Sequence, residues 1–279
     1  LCVASQMACS AGLADLRPDS LKERGPSSEQ SERGRRLLER AAQLTGGRAL
    51  WRTVETYEIS ARDVWDHWLA ELMILEYDSD QKFELWAQNP GLSNVKMTLQ
   101  NGARAGEVWG YENDRFYLVK DGVRDDSEDP IKVLFVKSLA AVIALPIRLS
   151  YADQVAYVGD IEFEGQTYHQ VFATWSSMEP SADYDHWMVW INAESGLVEQ
   201  CEFTVREYER AVTFPLSRTG AFSMTDYRRI DGFMVPRKVA ALFALGDEPV
   251  HVITVDSVQF NQRVPAPRGV GEETEVPNH

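Results

Sequence analysis

The chain has 279 residues, of which 44% are hydrophobic and 10% aromatic, so it is long enough to bury the core of one large globular domain. Its formal net charge of −15 repels phosphate backbones and anionic membrane surfaces, which argues against nucleic acid as a partner. The three cysteines, Cys2, Cys9 and Cys201, are too few and too scattered for a disulfide framework or a zinc cluster.

The first 28 residues are predicted to lie outside the folded domain. Their start, LCVASQMACSAG, is apolar and then small, resembles the end of an export signal and indicates an envelope or secreted protein. Cys9 follows Ala8 as in a bacterial lipoprotein cleavage site, which predicts a lipid on Cys9. Gln6 replaces the usual aliphatic residue of that site, so an ordinary signal-peptide remnant is the alternative. Residues 11 to 28 are polar and contain Pro and Gly, so we expect a flexible leader.

A helix followed by many strands is the pattern of the next hundred residues. Residues 29 to 44 place leucines and alanines on one side and charged residues on the other, which predicts an amphipathic helix that ends at Gly46. From Thr53 onward, runs of alternating apolar and polar residues are separated by turn residues every ~8–12 positions, as in an antiparallel sheet. In one run Val95, Met97 and Leu99 share a face, which predicts a sheet with one buried side.

A long apolar segment lies in the middle of the chain, between Pro130 and Pro146. Its side chains are apolar nearly all round, which predicts a buried helix. It is shorter than the ~20 residues that span a bilayer, and it carries Lys132 and Lys137, so we expect no transmembrane helix. About six strands precede this helix and about six follow it. The predicted fold class is therefore α+β, mainly β, in a single domain over residues 29–262, with a disordered tail at 263–279.

The sequence lacks the catalytic motifs GxSxG, HExxH and the P-loop, so we expect no enzyme. Its sharpest polar pattern is a repeated Asp-His-Trp, at residues 66–68 and 185–187. Neighbouring strand residues face opposite sides, so each Asp-His pair offers a metal ion only one ligand on a given face. A strand-entry turn with a solvated histidine is the simpler interpretation. His169 and His251 stand in predicted strands without a partner nearby in sequence, and we interpret them as surface or core residues.

Most of the eight tryptophans lie in or beside predicted strands, where packing in the core is their simplest role. The strand that follows the second Asp-His-Trp is unusual because both of its faces are apolar, with Trp187, Val189 and Ile191 opposite Met188 and Trp190. We expect one face to meet the central helix and the other to meet the N-terminal helix or a partner.

Four segments together form a recognisable pattern: Gly46-Gly47 before Trp51, Leu145-Pro146 after the central helix, DHWMVWINAESGLVEQCEF and YRRIDGFMVPRKV. Over roughly residues 30 to 260 the chain with these segments resembles the LolA/LolB-like superfamily of bacterial envelope lipoprotein carriers. The resemblance implies a curved antiparallel sheet that forms a half-open barrel, with helices packed in its concave side. It also implies a periplasmic location, a hydrophobic cavity for acyl chains, and neither a cofactor nor catalytic residues.

The predicted function is therefore the binding of lipid or lipoprotein acyl chains in the bacterial periplasm, with the outer membrane as the place of an anchor on Cys9. The alternative is a non-transporting structural or regulatory envelope protein that binds another protein through its sheet. In the first hypothesis the central helix crosses the concave face and leaves apolar space beside it. The residues predicted to line that cavity are Leu139, Ile143, Val95, Met97, Leu99, Trp187, Val189 and Phe203.

Overall fold

A computed structural model of the chain describes residues 12–66, 78–89, 92–113, 115–126, 129–206 and 218–261. The helices of this part of the chain are α1 (Asp19–Arg24), α2 (Ser28–Leu44), α3 (Gly47–Trp51), α4 (Pro130–Ile143) and α5 (Leu145–Leu149). The strands are β1 (Thr56–Val64), β2 (Asp80–Gln88), β3 (Asn94–Leu99), β4 (Val108–Glu112), β5 (Arg115–Lys120), β6 (Val123–Asp125), β7 (Gln154–Phe163), β8 (Gln166–Thr174), β9 (Trp187–Asn192), β10 (Val198–Thr204), β11 (Thr219–Ile230), β12 (Phe233–Leu242) and β13 (His251–Phe260).

The described strands form one antiparallel sheet in the order β6-β5-β4-β3-β2-β1-β13-β12-β11-β10-β9-β8-β7. Consecutive strands pair with each other except β6 and β7, and β1 pairs with β13, which joins the two halves of the chain. The edge strands β6 and β7 do not pair with each other, so the curved sheet stays open as a half-barrel. This architecture confirms the predicted fold class, and in the described part of the chain seven strands follow the central helix, where about six were predicted.

The concave side of the sheet carries the main core. Strands β1, β2 and β3 bury alternate residues in it, and in β3 the residues Val95, Met97 and Leu99 are buried as predicted while their neighbours are partly exposed. Helix α2 packs on β7 and β8, and α4 packs on β2, β3 and β4. Helix α5 contacts both of these helices. The helices therefore fill the concave side from its two edges.

Local signals define the ends of α2. Ser27 caps the helix, because its hydroxyl accepts from the backbone N–H of Gln30 and the Gln30 side chain accepts from the Ser27 N–H. The helix ends at Leu44, and Gly46 follows with a φ of 115°, a left-handed conformation that glycine adopts without strain. Both ends fall within a residue or two of the prediction.

The central helix α4 is shorter than predicted. Asp129 caps its first turn by accepting from the Lys132 N–H at 3.0 Å, and the helix ends at Ile143. Pro146 does not end it. This proline lies instead in the first turn of α5, where its missing N–H costs no hydrogen bond. In the described part of the chain, every helix is too short or too polar to cross a membrane.

The described residues of the predicted leader correct the expectation of a flexible tether. Residues 19–24 form α1, and Leu21 is buried on the outer face of the sheet against Phe172, Met188 and Trp190. The apolar outer face of β9, which was expected to meet the N-terminal helix or a partner, packs instead against the leader. Burial of this apolar surface stabilises the leader on the sheet, although most residues of the leader are polar.

Candidate functional site

An apolar pocket of about 190 Å³ lies on the concave side of the half-barrel, between α4 and strands β10 to β13. One wall is the helix, which contributes a stripe at the helical spacing of three and four residues, including Phe135, Leu139 and Val142. Most described residues of the lining are apolar, and the polar ones are Ser138, Thr219 and His251. The pocket is therefore suited to a hydrocarbon group.

Two aromatic rings on neighbouring strands, Phe203 and Phe222, form part of the opposite wall. The Phe203 ring lies 4.9 Å from that of Trp187 on β9 and 4.7 Å from that of Phe222 on β11, measured between centroids. Gly220 pairs with Phe203 across β10 and β11, and a Cβ atom on Gly220 would lie 3.0 Å from the Phe203 ring. Because Gly220 has no side chain, the Phe203 ring can lie directly against it.

A polar cluster borders the same pocket. Among the described lining residues, His251 is the one with a titratable side chain. Its Nδ1 lies 2.8 Å from Oδ1 of Asp63, a fully buried carboxylate at the end of β1. The indole Nε1 of Trp65 donates to Oδ2 of Asp63 at 2.9 Å, and the Trp65 ring stacks on the imidazole with 4.1 Å between centroids. The imidazole is therefore held in one orientation.

The residues predicted to line the cavity divide into two groups. Leu139 and Phe203 border the pocket. The other six do not border it, and Trp187 reaches it only through its stacking on Phe203. The remaining five are buried in the main core: Ile143, Val95, Met97, Leu99 and Val189.

Sequence reasoning missed the polar cluster and much of the pocket wall. Asp63 and His251 are separated by 188 positions and meet because β1 pairs with β13. Phe135 and Phe222 carry the correct apolar pattern, but nothing in the pattern distinguishes a pocket wall from a packed core. Only knowledge of the strand order would have identified either group.

The second Asp-His-Trp contacts the leader directly through His186 and indirectly through Arg206. Asp185 accepts from the backbone N–H of Arg206 at 3.0 Å, and His186 Nδ1 accepts from the N–H of Leu16 at 3.4 Å. His186 is fully buried rather than solvated as predicted, and burial lowers its pKa to about 4 although the nearby Asp15 carboxylate acts in the opposite direction.

The equivalent histidine of the first Asp-His-Trp, His67, lies outside the described residues. Those residues contain no group of three or more His, Cys, Asp or Glu side chains that could hold a metal ion.

Two arginine side chains make further contacts that hold the leader on the domain. Arg17 in the leader pairs with Asp15 at 2.9 Å and with Glu179 at 2.5 Å, and Asp15 and Glu179 raise the pKa of its guanidinium. Arg206 Nη2 donates to the carbonyl oxygen of Ala14 at 2.6 Å. The leader is therefore held by hydrogen bonds and ion pairs as well as by Leu21.

Comparison with known proteins identifies the fold. No protein-family model matches the sequence, and no curated protein matches it. A DUF1329 family protein from Desulfovibrio piger ATCC 29098 aligns over 85% of this chain and 95% of its own, with a TM-score of 0.50 and 9% identity. The LolA superfamily protein NE2245 from Nitrosomonas europaea aligns over 83% of this chain and 94% of its own, with a TM-score of 0.49 and 11% identity.

A putative outer membrane lipoprotein-sorting protein domain from Vibrio parahaemolyticus aligns over 84% of this chain and 95% of its own, with a TM-score of 0.48 and 9% identity. At 9% identity, the likeness to the DUF1329 family protein shows the fold alone. A protein described as a member of the LolA superfamily, which the sequence resembles, is among the solved structures similar to this chain.

Proposed function

We propose that this protein binds the alkyl chain of a lipid or of an acylated protein in the pocket between α4 and strands β10 to β13. The observation that carries the proposal is the chemistry of the lining. Phe135, Leu139, Val142, Phe203 and Phe222 present hydrocarbon surface to an open space of about 190 Å³. Transfer of an alkyl group from water to such a surface is favourable by about 0.8 kcal/mol for each buried CH₂.

The size of the pocket limits the ligand. A cavity of about 150 Å³ lined by Leu, Ile and Phe holds one benzene ring, and pockets for drug-sized ligands begin near 300 Å³. A space of about 190 Å³ therefore suits part of one alkyl chain better than several chains side by side. The ligand class that follows is a single-chain amphiphile, or one chain of a larger lipid.

The outer face of the sheet is a weaker candidate for binding. A protein partner that docks on the sheet would need exposed apolar side chains, and the apolar cluster on β8 and β9 is already covered by Leu21. Within the described residues, the exposed large apolar side chains are Val123, Tyr151 and Tyr184, which lie in three separate segments. The pocket is therefore the surface on which the functional proposal rests.

The bacterial envelope remains our proposed location, from the apolar N-terminal residues and the resemblance to envelope carriers. Cys9 lies outside the described residues, and its acylation is a separate proposal. If Cys9 carries a lipid in the native host, Cys9→Ala moves the protein out of the membrane fraction. Unchanged fractionation of the variant would reject the anchor without affecting the pocket.

The functional test is uptake of an uncharged fluorescent probe, N-phenyl-1-naphthylamine, whose emission rises in apolar surroundings. We expect the wild type to take up the probe and Leu139→Trp to abolish uptake while retaining the fold, because the indole occupies the open space. Val123→Trp, on an exposed position, serves as the matched control and retains uptake. A wild type that leaves the probe in water would overturn the proposal.

A further inference from the structure

The buried carboxylate of Asp63 determines which nitrogen of His251 carries a proton. Both oxygens of Asp63 have a partner, Oδ2 from the indole of Trp65 and Oδ1 from Nδ1 of His251. An indole N–H can only donate, so Oδ2 acts as an acceptor, and a buried carboxylate is stabilised by two donors. Nδ1 of His251 therefore donates to Asp63, and Nε2 is left as the acceptor of the ring.

Nothing in the described part of the chain satisfies that acceptor. His251 borders the apolar pocket, and Nδ1 is the ring nitrogen with a protein partner. The stacked Trp65 ring covers one face of the imidazole, so the ring cannot turn to exchange its two nitrogens. A hydrogen-bond acceptor of fixed position is thus present beside a space suited to hydrocarbon.

We propose that the Asp63–His251 pair is the anchor for the head group of the ligand, and that the ligand is a single-chain carboxylic acid. This inference rests on the proposed function of the pocket and names its ligand class. A carboxylic acid shares its proton with Nε2, and the bond gains charge assistance when the proton moves to the ring, because Asp63 stabilises the imidazolium. A methyl ester has no proton to share, and its oxygens face the lone pair of Nε2. The pocket therefore distinguishes a free acid from its ester.

The test compares decanoic acid with methyl decanoate as competitors that displace N-phenyl-1-naphthylamine from the wild type. We expect the acid to displace the probe at an about tenfold lower concentration than the ester, the ratio that one charge-assisted hydrogen bond supplies. In His251→Asn the amide nitrogen keeps the donor to Asp63 while Nε2 is removed. We expect this variant to lose the preference for the acid, so that acid and ester displace the probe at similar concentrations.

The outcomes distinguish a failure of the anchor from a failure of the whole pocket. If the wild type takes up no probe, both fail together. If probe uptake is normal but acid and ester compete equally, or if His251→Asn keeps the preference, the pocket binds alkyl chains and the anchor is rejected. Should His251→Asn not fold, ¹⁵N NMR of the wild-type imidazoles decides: one Nε2 signal among the five histidines shifts on addition of the acid and not of the ester. Unmoved signals reject the anchor.

Discussion

The backbone of Gly34 in α2 lies directly against the backbone of Tyr157 in β7. A Cβ atom on Gly34 would lie 2.7 Å from the Tyr157 nitrogen and 2.9 Å from the carbonyl carbon of Ala156, distances at which one element must move. Glycine normally weakens a helix by up to about 1 kcal/mol relative to alanine, so its presence here costs stability within the helix and allows α2 to approach the sheet.

We therefore expect Gly34→Ala to destabilise the protein by about 1–3 kcal/mol, the cost of overpacking, in spite of the better helix propensity of alanine. The free energy of unfolding from urea titration measures this difference. Gly159→Ala is the matched control, because a Cβ atom there meets nothing within 4 Å, and we expect no loss of stability. Equal effects of the two substitutions would show that α2 does not need its close approach to β7.

The leader is expected to contribute to stability. Removal of residues 1–26, so that the chain starts at Ser27, exposes the outer-face cluster around Phe172 and Met188, and the melting temperature should fall by about 4–8 °C, corresponding to a loss of ~2 kcal/mol. In the complete chain, Leu21→Ala should account for much of this loss, since the side chain is buried. Glu23→Ala on the exposed side of α1 should leave the melting temperature unchanged.

The same contact gives the stability a defined pH dependence. The buried state holds the pKa of His186 at about 4, below the ~6.5 of an unfolded chain, with Asp15 opposing the shift and Arg206 and Arg17 adding to it. Between about pH 6.5 and 4 the unfolded state binds a proton that the folded state does not, so the stability contributed by neutral His186 is complete above this range and is lost as the pH falls. The loss amounts to ~3 kcal/mol.

The urea midpoint measured from pH 7 to pH 4 tests this expectation against His186→Asn. The amide oxygen of the variant can accept from the Leu16 N–H and does not titrate, so its curve should be flatter over this range. Parallel curves for the two proteins would mean that protonation of His186 is not coupled to unfolding.

The sequence predicted the strands and the buried helix because their signals are local. Alternation in β3 and the apolar surface of α4 each follow from a few consecutive residues, and both are present in the structure. The position of the pocket is not local information. Helix α4 packs over β2 to β4, so Val95, Met97 and Leu99 lie in filled core, and the open space remains over β10 to β13. Which half of the sheet the helix covers cannot be read from periodicity.

The leader and the polar cluster were missed for a related reason. The polar composition of residues 11–28 indicates a tether, but Arg17 and Leu21 have partners more than 140 positions away, on Glu179 and in the cluster of β8 and β9. His251 likewise finds Asp63 only through the β1–β13 pairing. Sequence patterns describe the faces of an element, whereas these contacts depend on which elements become neighbours.

Two valines on α4 distinguish an open pocket from a filled core. Val142 borders the pocket, whereas Val136 is fully buried and does not. Enlargement of both to phenylalanine adds the same volume in two surroundings. Val142→Phe should keep the free energy of unfolding within ~0.5 kcal/mol of the wild type and lower probe uptake, because the ring extends into open space. Val136→Phe should lose about 1–3 kcal/mol by overpacking and, where it remains folded, should still take up the probe. If Val142→Phe destabilises the protein as much as Val136→Phe, the space beside α4 is closed in solution and cannot hold an alkyl chain.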